Sequence, residues 1–323
     1  MSRKRVIITG GAGFIGSNLT LALLQDSRVE KVRVLDDLSN GYYENIREFE
    51  NNPKFEFVKA DICDFQAVLE ATRGFHVISH QAALGSVPRS IKDPVRSTAV
   101  NIGGTVNVLF AAVQNQVERV ILAGSSSTYG DSPDLPKIEH RVGRPLSPYA
   151  ITKHTIEHYA DVFSRTYGLK FIVLRYFNIF GPRQSPDNPY AAVIPLFCKA
   201  FLEGKPPVIY GDGQTSRDFT YVDNAVHANV LSMFTENPEA LNQVYNVACG
   251  EQTTLNEMIE ILREVSGKKI QPKHEPERAG DVRHSKADIS KISRQMGYKP
   301  GVYFKNGLEK VYKWYAEGYK LAR

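Results

Sequence analysis

Six short apolar runs recur in the first 180 residues, at residues 6–8, 31–35, 55–59, 76–80, 119–122 and 171–174, and stretches with helical periodicity separate most of them. Strands that alternate with helices in this way pair in parallel, because each crossover helix returns the chain to the same end of the sheet and covers one of its faces. The expected fold class is α/β, a doubly wound parallel sheet with a smaller C-terminal lobe. The pattern breaks after residue 180. Beyond it the sequence predicts a helix at 191–201, a strand at 207–210, a helix at 223–233, and returns to the main lobe at 244–247 and 255–265. The boundaries expected are 1–180 for a dinucleotide-binding domain, with returns at about 220–265, and 181–323 for a discontinuous lobe that mainly binds substrate.

The first run ends in Thr9-Gly10-Gly11-Ala12-Gly13-Phe14-Ile15-Gly16. Amides at a helix N-terminus face a pyrophosphate only where no Cβ intervenes, so strand, glycine turn and helix form a phosphate-binding unit. The second run ends in Asp36-Asp37, about twenty residues after the last glycine, where a carboxylate accepts both ribose hydroxyls of an adenosine and repels a 2′-phosphate. NAD(H) is therefore expected rather than NADP(H), with Leu38-Ser39-Asn40-Gly41 as the following turn. Asp61-Ile62 after the third run marks a site for adenine. Gln81-Ala82-Ala83-Leu84-Gly85-Ser86 follows the fourth with small residues where backbone lies close to a ligand, and His80 before it reads as a packed strand residue.

The fifth run ends in Ser125-Ser126-Ser127-Thr128, at the edge where doubly wound sheets bind ligands. Ser125 is the hydroxyl expected to meet a substrate, while the later ones read equally well as a helix-capping turn. Ser147-Pro148 is a helix start. Tyr149 and Lys153 then stand one turn apart, and a nearby ammonium favours phenolate over phenol, which makes the pair a candidate general base.

Composition excludes little and fits an ordinary soluble globular protein: 323 residues, 42% hydrophobic, 23% charged, net charge +5. The charge is dispersed, so no nucleic-acid partner is expected. Cys63, Cys198 and Cys249 lack metal spacing and read as reduced core residues of a cytoplasmic protein, with no metal site. No stretch approaches the roughly 20 apolar residues of a membrane span.

TGGAGFIG, Asp36, Asp61-Ile62, the Ser-rich strand end, YAITK and RYFN, in this order, resemble the extended short-chain dehydrogenase/reductase family. Within it, SSSTYGD, SPYAITK, RYFNIFGPRQ and SRDFTYVDN are similar to the nucleotide-sugar 4-epimerases, most of all the bacterial UDP-N-acetylglucosamine 4-epimerase group. The resemblance implies a Rossmann sheet and bound NAD. It makes Tyr149 the base, Lys153 the group that lowers its pKa and holds the nicotinamide ribose, and Ser125 the second partner of the substrate hydroxyl. Cofactor contacts are implied at Gly10, Gly13, Phe14, Ile15, Gly16, Asp36, Asp37, Ser39, Asn40, Gly41, Asp61, Ile62, Gln81, Ala82, Ala83, Asn101, Ser125, Tyr149, Lys153 and Phe177, the last beside the nicotinamide. Substrate contacts are implied at Gly85, Ser86, Ser125, Ser126, Ser127, Tyr149, Asn178, Ala192, Val193, Asp281 and Ser285. Tyr210 would lie by the uracil, and Arg217 and Arg278 on the diphosphate.

The implied reaction is reversible 4-epimerisation of UDP-N-acetylglucosamine, extending to UDP-glucose, through a 4-keto sugar, in a homodimer formed by the helices of Asn101 and Tyr149 and serving polysaccharide biosynthesis. Galactose epimerases carry a lysine where Gly85 stands, and many bacterial ones a bulky aromatic where Ser285 leaves room for a 2-acetamido group. A UDP-uronate 4-epimerase or decarboxylase is the alternative, with Arg89 or Arg283 on the carboxylate. A 4,6-dehydratase is disfavoured, since related dehydratases place an Asp-Glu pair where Ser126 and Ser127 stand. A non-catalytic NAD sensor is disfavoured because Tyr149 and Lys153 are both present.

Overall fold

A computed structural model describes residues 3–187, 192–277 and 283–321. β1 (Lys4–Thr9) runs through the glycine turn into α1 (Phe14–Gln25), β2 (Val29–Asp36), β3 (Phe55–Lys59), α2 (Phe65–Thr72) and β4 (Val77–His80). Then come α3 (Val87–Lys92), α4 (Pro94–Thr98), a π-helical turn at Ala99–Gly104, α5 (Thr105–Gln114), β5 (Arg119–Ser125), α6 (Pro148–Tyr167) and β6 (Phe171–Tyr176). The remaining elements are β7 (Ile179–Phe180), α7 (Val193–Glu203), β8 (Val208–Tyr210), β9 (Ser216–Arg217), β10 (Thr220–Tyr221), α8 (Val222–Phe234), β11 (Gln243–Val247), β12 (Thr253–Thr254), α9 (Leu255–Ser266), β13 (Lys273–Glu275), α10 (Ser290–Met296) and α11 (Phe304–Leu321).

Seven parallel strands make the main sheet in the order β11-β6-β5-β4-β1-β2-β3. Its direction of winding reverses between β1 and β4, which opens a crevice at the carboxyl ends of those strands. Alternation along β1 shows why both faces are covered. Val6 and Ile8 join Leu19, Leu23, Ala225 and Ala228 of α1 and α8 on one side, whereas Ile7 joins Val68, Val108, Leu109 and Phe163 of α2, α5 and α6 on the other.

A separate apolar cluster builds the smaller lobe from Phe197, Cys198 and Phe201 of α7, Met258, Ile259 and Leu262 of α9, and Leu308 and Val311 of α11. The segment 255–265, expected to return to the main lobe, therefore belongs to the smaller one. Its amphipathic pattern fixed which face is buried but not against what. The segment 244–247 joins the main sheet as β11, and α8 packs on one of its faces through Ala225 and Ala228. Of the three cysteines read as core, Cys198 and Cys249 are buried, whereas Cys63 is exposed just after β3.

Gly10, at φ +71, brings the end of β1 against β4, since a Cβ there would stand 2.5 Å from the Ala82 amide nitrogen. A Cβ on Gly16 would stand 2.2 Å from the Gly10 carbonyl oxygen. Both neighbours are backbone, so neither site can relax cheaply. Gly16→Ala should lower stability by about 1–3 kcal/mol, read as a lower urea midpoint with unchanged slope; an unchanged midpoint would refute this account of the turn.

Candidate active site

The carboxyl ends of the central strands and the start of α6 enclose a cavity of about 390 Å³. Gly10, Gly13, Phe14, Ile15 and Gly16 line it, with Asp36, Asp37, Ser39, Asn40 and Gly41 after β2, Asp61 and Ile62 after β3, and Gln81, Ala82, Ala83 and Gly85 after β4. No side chain caps α1 and no acid stands in its first turn, which leaves its amides to an anion. Asp36 clamps the glycine turn: its two oxygens accept from the Ala12 and Leu38 amides, each at 2.9 Å, and burial raises its pKa. Asp37 accepts from the amide and hydroxyl of Ser39 at 2.9 and 2.7 Å. Arg89 of α3 donates to the Asn40 side chain at 3.0 Å, which joins the segment after β4 to the turn after β2. A long cavity with backbone donors at a helix start and carboxylates at the next strand end fits a dinucleotide.

Tyr149 and Lys153 also line this cavity. The Ser147 hydroxyl accepts from the Ala150 amide at 3.1 Å, Pro148 occupies the first turn, and the Ser90 hydroxyl accepts from the Tyr149 amide at 3.0 Å. The start of the helix is thus fixed on two sides. Register pairs Ser125 at the end of β5 with Tyr176 at the end of β6. Burial raises the Tyr149 pKa, opposed by a hydrogen bond with Ser125. Lys153 is buried and donates to the Ala123 carbonyl at 2.8 Å, and its Nζ lies 6.0 Å from the Tyr149 ring centre. Burial pulls its pKa down to about 8, against the Coulomb effect of Glu157. At Tyr149 the group that lowers the pKa is Ser125, through its hydrogen bond, and Lys153 makes its own bond elsewhere. The ammonium is directed at a backbone carbonyl, and burial outweighs what opposes it at the phenol.

Glu157 follows Lys153 by one turn of α6 and receives a two-point fork from Arg175 at 2.8 and 2.7 Å, with both side chains less than a tenth exposed. Burial would lower the Arg175 pKa, but the Glu157 contacts more than offset it and the net shift is upward. His80 is neutral, pushed to about 3 chiefly by burial, and bonds the hydroxyls of Thr9 at 2.6 Å and Thr105 at 2.9 Å.

Several expected contacts stand elsewhere. The Phe177 side chain is fully buried with Tyr129, Ala248 and Ala287 and does not line the cavity. Tyr176 lines it instead, because successive strand residues face opposite ways. Asn101 lies behind the wall, accepting from the Leu84 amide at 2.8 Å and donating to Thr152 at 3.2 Å. Ser86 caps α3 by accepting from the Arg89 amide. Ser127 donates its amide and hydroxyl to Ser125, and Ser126 opens the same tight turn. Ala192 lines the cavity, and Val193 begins α7. In the smaller lobe Asn178 donates to the Asp218 carbonyl at 3.1 Å, and Arg217 to the carbonyls of Ser216 and Arg283 at 2.9 and 3.2 Å. The Ser285 amide donates to Ser216 beside Arg217, and Tyr210 is exposed on β8. Arg278 and Asp281 lie outside the described residues.

Tyr176, Arg183, Gln184 and Ser185 line the cavity without having been singled out. For Tyr176 the signal was strand alternation. It joins Gln81 at 3.1 Å and Asn229 at 2.7 Å in a buried polar network.

Residues 6–248 match the model of a family described as the NAD dependent epimerase/dehydratase family. The chain is 37% identical over 313 residues to the UDP-glucose 4-epimerase of Mycolicibacterium smegmatis, covering 96% of this chain and 98% of the relative. It superposes with a TM-score of 0.92 on UDP-N-acetylglucosamine 4-epimerase from Methanobrevibacter ruminantium in complex with UDP-N-acetylmuramic acid, at 40% identity over 98% of this chain and 100% of the other. UDP-glucuronic acid 4-epimerase from Bacillus cereus, in complex with UDP-glucuronic acid and NAD, gives a TM-score of 0.90 at 32% identity over 98% of this chain and 100% of the other.

Glu157→Gln should leave Arg175 without a buried counter-charge and cost about 3–5 kcal/mol. It also removes the acid that holds the Lys153 pKa up, so that pKa falls below about 8 and ammonium is lost at lower pH. The alkaline limb of the activity profile should therefore move towards acid, as measured by turnover against pH. A limb that stays in place would show that Glu157 does not act on Lys153.

Proposed function

The chain belongs to the NAD dependent epimerase/dehydratase family, and on that premise we propose that it inverts C4 of a UDP-hexose, with UDP-N-acetylglucosamine and UDP-N-acetylgalactosamine as its pair. The observation that carries this reading is the Tyr149 phenol on the cavity wall, hydrogen-bonded with Ser125 and one helical turn before Lys153. NAD, when bound, accepts a hydride from the sugar carbon and returns it. Tyr149, as phenolate, would take the proton of the 4-hydroxyl as the hydride leaves C4, which produces a ketone, and give the proton back as the hydride re-enters on the opposite face. Ser125 holds the same oxygen. Lys153, anchored on Ala123, presents its remaining protons to the ribose beside the phenol.

Inversion requires the keto sugar to present its other face between the two transfers. Firm binding therefore belongs at the nucleotide end, which this reading assigns to Arg217 and Tyr210, and loose binding at the sugar. The acids on the described wall are Asp36, Asp37 and Asp61, all at the strand ends assigned to adenosine. None is available to remove water from the sugar, which favours epimerisation over dehydration. Ser285, whose amide donates to Ser216 beside Arg217, is the small side chain this reading assigns to the acetamido group. The 40% identity to a UDP-N-acetylglucosamine 4-epimerase supports the acetylated substrate.

Ile91, Val95, Ile151 and Val162 of α3, α4 and α6 are 63%, 80%, 52% and 45% exposed. A second copy covering them would give a homodimer, and a monomer mass in solution would dismiss it. No helix among the described residues is long and apolar enough to cross a membrane.

Incubation with UDP-N-acetylglucosamine, UDP-glucose and UDP-glucuronate, followed by NMR, should give the 4-epimer of the acetylated sugar. No epimer from any neutral sugar would reject the reading. Tyr149→Phe should cut turnover by about 10²–10⁴-fold with unfolding unchanged, and near-normal turnover would remove Tyr149 as base. Ser285→Tyr should abolish turnover of the acetylated sugar and spare UDP-glucose; equal loss of both would end the steric argument.

A further inference from the structure

Arg183 is a cation on the cavity wall that the proposed reaction does not use. Among the described lining residues the cavity has two cationic side chains, Lys153 and Arg183, against Asp36, Asp37 and Asp61. Lys153 is committed to the tyrosine end by its bond to Ala123. A dinucleotide lying along the cavity brings two negative charges to the turn before α1, where the glycine loop offers backbone amides alone. Gly85 on the β4 side supplies no charge, and a Cβ there would meet nothing within 4 Å.

Arg183 stands at the α1 end. Its guanidinium donates to the Asn18 side-chain oxygen at 3.2 Å, and the Asn18 amide group donates to the carbonyls of Phe14 at 2.8 Å and Pro182 at 3.0 Å. The first turn of α1 and the segment after β7 are thereby joined through one asparagine. The second guanidinium nitrogen pairs with Glu48, whose side chain is 58% exposed while that of Arg183 is 14% exposed. The backbone of Arg183 is left-handed, at φ 68, a region a β-carbon disfavours, so contacts of the side chain hold the residue there.

We propose that Arg183 is the cationic half of a diphosphate site shared by the two lobes: its fork exchanges the solvent-facing Glu48 carboxylate for the cofactor's diphosphate while Asn18 keeps the guanidinium at the mouth of the α1 turn. The inference rests on the reading of this cavity as the NAD site. A planar fork suits two phosphate oxygens, and a partly buried guanidinium gains more from an anion than an exposed one. The diphosphate of a sugar nucleotide has the same chemistry, so the test must separate the two sources.

Calorimetric titration with adenosine, ADP, NAD+ and UDP, on the wild type, Arg183→Gln, Arg183→Lys and Glu48→Gln, does so. Arg183→Gln should weaken ADP and NAD+ about ten- to a hundredfold and leave adenosine and UDP within about twofold. Arg183→Lys should restore part of the loss, since a point charge replaces a fork. Glu48→Gln frees the guanidinium and should leave ADP binding equal or tighter. The proposal is overturned if ADP is unmoved, if adenosine falls with ADP, or if UDP falls in place of ADP. If Arg183→Gln does not fold, the Glu48→Gln arm decides, and weaker ADP binding there overturns it. A wild-type chain that binds UDP but neither ADP nor NAD+ overturns the cofactor reading and this inference with it, whereas absent turnover with normal NAD+ binding touches only the proposed reaction.

Discussion

A lysine ammonium with 4% exposure must find its partners inside the protein, and the way Lys153 finds them organises the site. Taking an ion out of water costs several kcal/mol unless other groups answer it. Here the answer is spread over three elements. The Ala123 carbonyl at the end of β5 accepts the ammonium, Glu157 lies one turn further along α6, and Arg175 on β6 grips Glu157 with both ends of its fork. Tyr149, Lys153 and Glu157 share one helix face, so fixing the last two against the sheet also fixes the first. α6 cannot slide or roll without breaking the Lys153 bond or stranding a buried charge.

The same burial sets a limit on the base. The groups that hold Lys153 turn its charge towards a carbonyl, and Tyr149 is left with burial raising its pKa and one hydroxyl opposing. Positive charge brought to the ring would favour the phenolate that the proposed proton transfer uses.

Local signals carried much of this into the sequence. The glycine turn, the apolar runs and the Ser147-Pro148 helix start depend on backbone geometry within a few residues, and each lies where the pattern places it. Gly168, left-handed at φ 72, closes the helix that was expected to end near Tyr167. What the sequence hid depends on distant partners. Phe177 and Tyr176 differ only in which way a strand end faces. Asn101 sits in a π-helical turn that aims it at Leu84 and not at the cavity. The amphipathic stripe of α9 says that a face is buried, but the choice between two apolar clusters is made by α7 and α11. Arg183 depends on a left-handed backbone and on Asn18 and Glu48, 165 and 135 residues away.

The two lobes are not independent bodies placed side by side. Asp218, next to Arg217, is fully buried and accepts from the amides of Cys249, Gly250 and Ala287 at 3.0, 3.0 and 3.1 Å. Burial still pushes its pKa up to about 6, because those three amides offset only part of the desolvation. Asn178, just past β6, donates to the carbonyl of the same residue, so Arg217 is tied to the edge of the main sheet through its neighbour. Arg183 makes the corresponding tie at α1. Arginines held to the frame at two places suit anionic groups that must stay put, whereas the described cavity wall near Tyr149 offers hydroxyls, small residues and backbone. On the proposed reading, arginines tied to the frame hold the nucleotide while hydroxyls and small residues meet the sugar, so that one face of the sugar can be exchanged for the other without release of the nucleotide.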